Sequence, residues 1–141
     1  MKRPSKHFTW AEMACRDGTP YPGEWRETRL PLLLSAAEAI RGACGDKPLL
    51  VFSAYRTPKH NRRIGGARRS QHMQGRALDL RPPKRWSVDR FHKAIKSLKL
   101  PQIRGLGKYR TFVHIDTRPS QRLAAWSGSG KKDAVCLVMH K

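Results

Sequence analysis

The sequence predicts an α+β fold in a single domain covering residues 1–141. Three observations carry that prediction. The chain of 141 residues is long enough for one core and short for two. Two stretches, 28–44 and 88–98, place apolar residues at helical spacing. Four shorter stretches, 49–55, 76–81, 109–116 and 134–139, are apolar runs or alternate with a period of two, as strands do. No internal repeat is present. A domain of this size buries about two thirds of its unfolded surface, so it needs no disulfide staple.

The elements follow in order. Residues 5–27 form an opening segment, with a turn of helix over Phe8, Trp10, Ala11 and Met13 capped near Thr9. Asp17-Gly18-Thr19-Pro20-Tyr21-Pro22-Gly23 has the composition of a loop. The first long helix, about 28–44, has Pro31 in its first turn, Leu30, Leu33, Leu34, Ala37 and Ile40 on one face, and Gly45 to end it. A buried strand spans 49–55. Residues 56–75 are basic, polar and broken by Gly65-Gly66, which predicts an ordered loop. The next strand, 76–81, stops at Pro82-Pro83. Ser87 caps a helix that turns Val88, Phe91, Ile95 and Leu98 inward and Lys93, Lys96 and Lys99 outward. Gly105-Leu106-Gly107 reads as a turn before the alternating strand 109–116. A flexible link over 127–132 and a final apolar strand over 134–139 complete the chain.

Charge narrows the partners. There are 30 Lys and Arg against 10 Asp and Glu, a formal +20. Residues 1–55 hold 8 basic and 6 acidic side chains, whereas residues 56–141 hold 22 and 4. Such a field favours a polyanion: nucleic acid, anionic lipid, or the carboxylates and phosphates of a bacterial envelope. The plainer account is solubility. Three cysteines, Cys15, Cys44 and Cys136, are odd in number and widely spaced, which suits reduced buried thiols better than a disulfide framework or a cysteine zinc site. No apolar run is long enough for a membrane span, and no secretory leader is recognised near Met1. Synthesis in the cytoplasm, with no transmembrane segment, is the expectation.

The chemistry-bearing residues are those where a strand pattern meets a polar side chain. Asp79 sits among Ala77, Leu78 and Leu80, where a lone carboxylate is expensive to bury without a cation. Phe112, His114 and Asp116 share one face of their strand, and His72 lies seven residues before Asp79 in a loop. Two histidines and an aspartate form a ligand set for Zn²⁺ that leaves a fourth position open, as a catalytic zinc requires. Singly, each has a plainer explanation: a loop histidine, an ion partner for an arginine, a strand-end turn former.

The string Ser53-Ala54-Tyr55-Arg56-Thr57-Pro58-Lys59-His60-Asn61, then Gly65-Gly66-Ala67, then Ser70-Gln71-His72-Met73-Gln74-Gly75-Arg76-Ala77-Leu78-Asp79, resembles the zinc D-Ala-D-Ala carboxypeptidase family. That family also contains L-Ala-D-Glu endopeptidases of phage lysins. Its hallmark is S-x-H-x-x-G-x-A-x-D with a later ligand histidine, here in Phe112-Val113-His114-Ile115-Asp116-Thr117-Arg118. The opening segment also looks like one branch of the family, so the likeness covers about residues 5–126. The resemblance implies one Zn²⁺ per chain, held by His72, Asp79 and His114 on a small antiparallel β-sheet flanked by helices. It implies that Arg56 holds the polarised carbonyl oxygen or a substrate carboxylate, and that Ser70, Gln71 and His60 line or brace the site. Several members place the general base two or three residues before the last ligand. Those positions are Phe112 and Thr111 here, and neither can accept a proton. Asp116 is the nearest carboxylate on the same face, so it is expected to take the water proton or to orient a neighbour.

By this resemblance the protein hydrolyses a peptide bond in peptidoglycan stem or cross-link peptides, as an endolysin-type endopeptidase or else a D-Ala-D-Ala carboxypeptidase. It acts on the wall after release, as a monomer, with its basic surface free to hold anionic envelope polymers or lipids. Two other classes compete: a zinc fold that binds walls without catalysis, and a basic nucleic-acid-binding module. No helix-turn-helix, finger or RNA-binding aromatic signature supports the last.

Overall fold

The computed structural model describes residues 2–128 and the backbone of 138–140. It is an α+β domain built on one sheet. Helix α1 (Trp10–Met13) is closed by a capping box, in which Glu12 N–H donates to Thr9 Oγ1 at 3.2 Å and Thr9 N–H donates to Glu12 Oε1 at 2.8 Å. Helix α2 (Leu30–Ala43) buries Leu30, Leu33, Leu34, Ala36, Ala37 and Ile40. Strand β1 is Val51–Ser53, α3 is Pro58–Arg63, β2 is Ala77–Leu80 and α4 is Val88–Leu98. Strands β3 (Gly105–Lys108), β4 (Val113–Asp116), β5 (Ala124–Ser127) and β6 (Val138–His140) follow.

The sheet runs β1-β2-β4-β3-β5-β6. Every pair is antiparallel except β3 with β5, which is parallel, so the sheet is mixed rather than antiparallel throughout. Chain geometry explains the exception. Strand β4 ends at Asp116, opposite Gly105 at the start of β3. The chain then reverses and steps past β3 before starting β5 at Ala124, again opposite Gly105. Strands β3 and β5 therefore leave the same end of the sheet in the same direction.

One face of the sheet carries Leu78, Leu80, Leu106, Val113 and Ile115 into the core with α2 and α4. The other face is polar. Across it, Ser53 pairs with Asp79, Asp79 with His114, His114 with Gly107, and Gly107 with Trp126. A strand's alternation thus sends its apolar set to the helices and its polar set to the opposite side.

Three local expectations change. Residues 56–75 are not only loop: Thr57 caps α3, with His60 N–H donating to its Oγ1 at 3.1 Å, and Pro58 occupies the first turn. Helix α3 buries Asn61 and no apolar residue, so it has no hydrophobic periodicity to read. Gly105-Leu106-Gly107 is strand, not turn. Strand β5 begins at Ala124, before the expected link, and of the expected final strand only 138–139 fall among the described residues, inside β6. No described helix is long and apolar enough to cross a membrane.

Candidate metal centre

His72 lies in a 3-10 turn, Gln71–Gln74, that Ser70 opens by accepting His72 N–H at 3.1 Å. Gly75 closes the turn at φ 67, a left-handed conformation, and delivers the chain into β2. Its carbonyl accepts the Tyr21 hydroxyl at 2.7 Å, and a side chain at this position would run into the Tyr21 and Trp25 rings.

The imidazole of His72 is fixed from behind. Nδ1–H donates to the Ala54 carbonyl at 2.6 Å, which leaves the Nε2 lone pair facing inward. Nε2 is buried and has no hydrogen-bond partner, 3.2 Å from Asp79 Oδ1. Burial pulls His72 down from its ordinary value, while the neighbouring Asp79 pulls it the other way. Asp79 Oδ1 also lies 2.9 Å from His114 Nδ1. Burial opposes ionisation of Asp79, yet the two histidines hold it well below the ordinary carboxylate range. All three donor atoms fall within 4.8 Å of one another, on buried residues. An orphaned imidazole nitrogen, a second imidazole and an ionised carboxylate converging on one point fit a single zinc ion.

Each donor has a support. Asp79 Oδ2 accepts Arg56 Nη2–H at 3.3 Å, while Arg56 Nε donates to Ser53 Oγ at 3.1 Å and Nη1 to Asn61 Oδ1 at 3.1 Å. Asn61 is itself held, its Nδ2 donating to the Ala67 carbonyl at 2.8 Å. His114 Nε2 lies 2.7 Å from Asp116 Oδ2, on the ring edge away from Asp79. Burial works against charge on His114, but its bonds to Asp116 and Asp79 and their negative charges outweigh this and lift it to about 9.

Asp116 is fully buried, and both oxygens are spent within the protein. Oδ1 accepts Arg118 N–H at 3.1 Å and Nε at 2.9 Å; Oδ2 accepts Arg118 Nη2 at 2.7 Å besides facing His114. Burial would raise Asp116, but Arg118 and His114 hold it low. Room for this carboxylate comes from Gly105 across the ladder, where a Cβ would collide with it.

The donors open into a cleft of about 1220 Å³ lined by residues of α3, the 65–71 loop and the polar face of the sheet. Phe52, Phe112 and Tyr109 form one wall, with ring centroids 5.2 Å apart for Phe52 and Phe112 and 4.6 Å for Tyr109 on Phe112. Trp126 lies 5.2 Å from the His114 ring, and its Nε1–H donates to the Tyr109 hydroxyl at 2.5 Å. Ser70, Gln71 and His60 all line the cleft, and Gln71 Oε1 is buried without a partner. Asp79 is the only carboxylate in the described lining.

The structure therefore brings His72, Asp79, His114, Arg56 and Asp116 into one connected network. Sequence reasoning missed four members: Asn61, Arg118, Tyr109 and Trp126. Arg118 stood two residues beyond Asp116, just past the end of β4 and in phase with its alternation, which was a usable signal. Asn61 was hidden among charged neighbours on a helix with no apolar stripe.

Comparison with known proteins agrees with this geometry. A sequence profile of the family described as Peptidase M15 matches residues 6–116. The chain is 46% identical over 43 residues to the "Zinc D-Ala-D-Ala carboxypeptidase" of Streptomyces albus G. That stretch is 30% of this chain and 17% of the relative, so the chain spans a small part of the carboxypeptidase's length. The family profile covers most of the chain and ends at Asp116, the carboxylate behind the last histidine donor. On that coverage, the chain belongs to the peptidase M15 family.

Proposed function

We propose that the protein is a zinc peptidase that hydrolyses a peptide bond in bacterial peptidoglycan, and that it cuts as an endopeptidase. The orphaned Nε2 of His72, converging with Asp79 and His114 at the floor of an open cleft, carries this reading. A bound Zn²⁺ would supply Lewis acidity towards the scissile carbonyl and make water nucleophilic at neutral pH. The protein supplies the rest. Ala54, Arg56 and Asp116 each fix one donor, so the donor geometry is set before substrate arrives. Arg56 uses three of its five N–H groups on protein acceptors. The remaining two are available to the oxyanion of the breaking amide or to a stem-peptide carboxylate. Asp116 has no free oxygen and no exposure, so its role is to orient His114 rather than to take the water proton.

The cleft's size, about 1220 Å³, and its lining of both aromatic rings and arginines support internal cleavage, since they offer contacts to a substrate longer than a terminal dipeptide. Its arginines favour the second reading, a D-Ala-D-Ala carboxypeptidase that captures a terminal carboxylate. Mass spectrometry of purified peptidoglycan after digestion separates the two. New amino termini within stems or cross-links are expected; loss of a terminal D-Ala alone would mark the carboxypeptidase. Unchanged muropeptides from zinc-loaded protein would overturn catalysis and leave a wall-binding fold.

A further inference from the structure

A second donor set lies outside that centre. Cys15, Asp17 and His60 bring a sulfur, a carboxylate oxygen and an imidazole nitrogen within 4.8 Å of one another. The first two come from the loop after α1, the third from α3. The loop is tightly built: Cys15 N–H donates to the Thr19 carbonyl at 2.8 Å, Gly18 N–H to the Cys15 carbonyl at 2.9 Å, and Thr19 N–H to Asp17 Oδ1 at 2.9 Å. Gly18, at φ 98, makes the reversal that brings Thr19 back to Cys15.

Thr57, the cap of α3, locks this loop against the helix. Its N–H donates to Cys15 Sγ at 3.5 Å and its hydroxyl to Asp17 Oδ2 at 3.0 Å. The Thr57 N–H thus fixes the position of the Cys15 sulfur beside Asp17 and His60. Cys15 is buried, His60 half-buried and Asp17 exposed, so the set is closed at the sulfur and open to solvent at the carboxylate.

We propose that Cys15, Asp17 and His60 form a second cation site, selective for a thiophilic divalent ion of the zinc type, with solvent completing the shell. Thiolate, imidazole and carboxylate are the three donor classes zinc accepts. Binding transfers the Cys15 thiol proton to solvent, and the two anions offset the ion's charge beside Arg63, whose Nη2 lies 3.4 Å from His60 Nδ1. The site joins the opening loop to α3. Asn61, the residue after His60, holds Arg56, which in turn holds Asp79. An ion here therefore clamps the helix on which the support of the first centre depends.

The test uses the full chain, stripped with a chelator and reloaded with Zn²⁺ or Co²⁺. Wild type is expected to retain two zinc ions per chain, and Cys15→Ser and His60→Ala one each. The cobalt form is expected to show a thiolate-to-cobalt charge-transfer band. The His72, Asp79 and His114 centre cannot produce this band because it has no sulfur. The band should persist in a His72→Ala/His114→Ala variant, which makes its outcome independent of the peptidase assignment. If Cys15→Ser fails to fold, weakening of the band in His60→Ala serves in its place. One zinc in wild type, no thiolate band, or a band unchanged in Cys15→Ser or His60→Ala overturns the proposal.

Discussion

Asp116 shows how little a residue's type says about its task. A carboxylate two residues past a ligand histidine is a reasonable base on paper, because it shares that histidine's strand face. In the fold it faces the back of the His114 ring and is clamped by Arg118. The expected signature of Asp116→Asn follows. Zinc affinity should fall about 10–100-fold, as it does when an outer support of a metal ligand is lost. Chelator competition measures it; undiminished affinity with collapsed turnover would return Asp116 to the base's role. Asp79 and His114 were legible because they interrupt apolar strands, and His72, in a turn, was legible only through the motif that runs from it to Asp79. Of their supports, Arg118 lay within reach of spacing, two residues past Asp116, whereas Asn61 did not, because its contact with Arg56 shows no apolar or strand pattern to read.

At the level of elements, the glycines of β3 were misread for a physical reason. Gly-x-Gly ordinarily signals a turn through conformational freedom. Here the glycines provide space: Gly105 faces Asp116 and Gly107 underlies Trp126. Gly105→Ala should therefore displace the Asp116 carboxylate and lower both stability and zinc affinity. Gly42→Ala, in α2 with open surroundings, should raise stability by roughly 0.5–1 kcal/mol. Thermal melts of the two variants with and without zinc check the contrast. The two long helices were legible because their apolar stripes are long, whereas α3 and β5 have too few buried apolar residues to leave a pattern.

Helix α2 also anchors the opening segment. Glu38 accepts Ser5 Oγ at 2.6 Å and His7 N–H at 2.8 Å, and lies 2.7 Å from His7 Nδ1. Burial alone would raise Glu38, but these bonds leave it below its ordinary value. A carboxyl depressed in the fold contributes stability above its unfolded value of about 4.3 and loses it as pH falls through the folded value. Glu38→Gln should cost on the order of 1 kcal/mol at neutral pH and approach nothing in acid. Parallel urea titrations at pH 7 and pH 3 read this; an equal loss at both would refute it.

For the whole molecule, the charge is concentrated where the cleft is. Arg16, Arg56, Arg62, Arg63, Arg68, Arg69 and Arg118 all line it, facing the anionic polymer that the proposed activity requires. Attachment to walls should weaken steeply between 0.01 and 0.15 M salt, as the Debye length contracts from about 30 Å to about 8 Å. Hydrolysis of a short soluble stem peptide should respond far less, since its contacts are made at close range. Arg62→Gln with Arg63→Gln should lower wall sedimentation and spare peptide turnover. An equal fall in both would place these arginines in the catalytic step. The lopsided charge was visible in the sequence, but its collection around one cleft needed the fold.

The register of β2 against β4 has a further consequence. Asp79 sits opposite His114, and the pair exists only in that alignment. A slip by one residue would set Val113 or Ile115 across from Asp79 and turn His114 into the apolar layer. A slip by two could bring Asp116 opposite Asp79, carboxylate against carboxylate. A metal ion therefore acts as a proofreader of strand pairing: it rewards the one alignment that offers three donors and gives nothing to its neighbours.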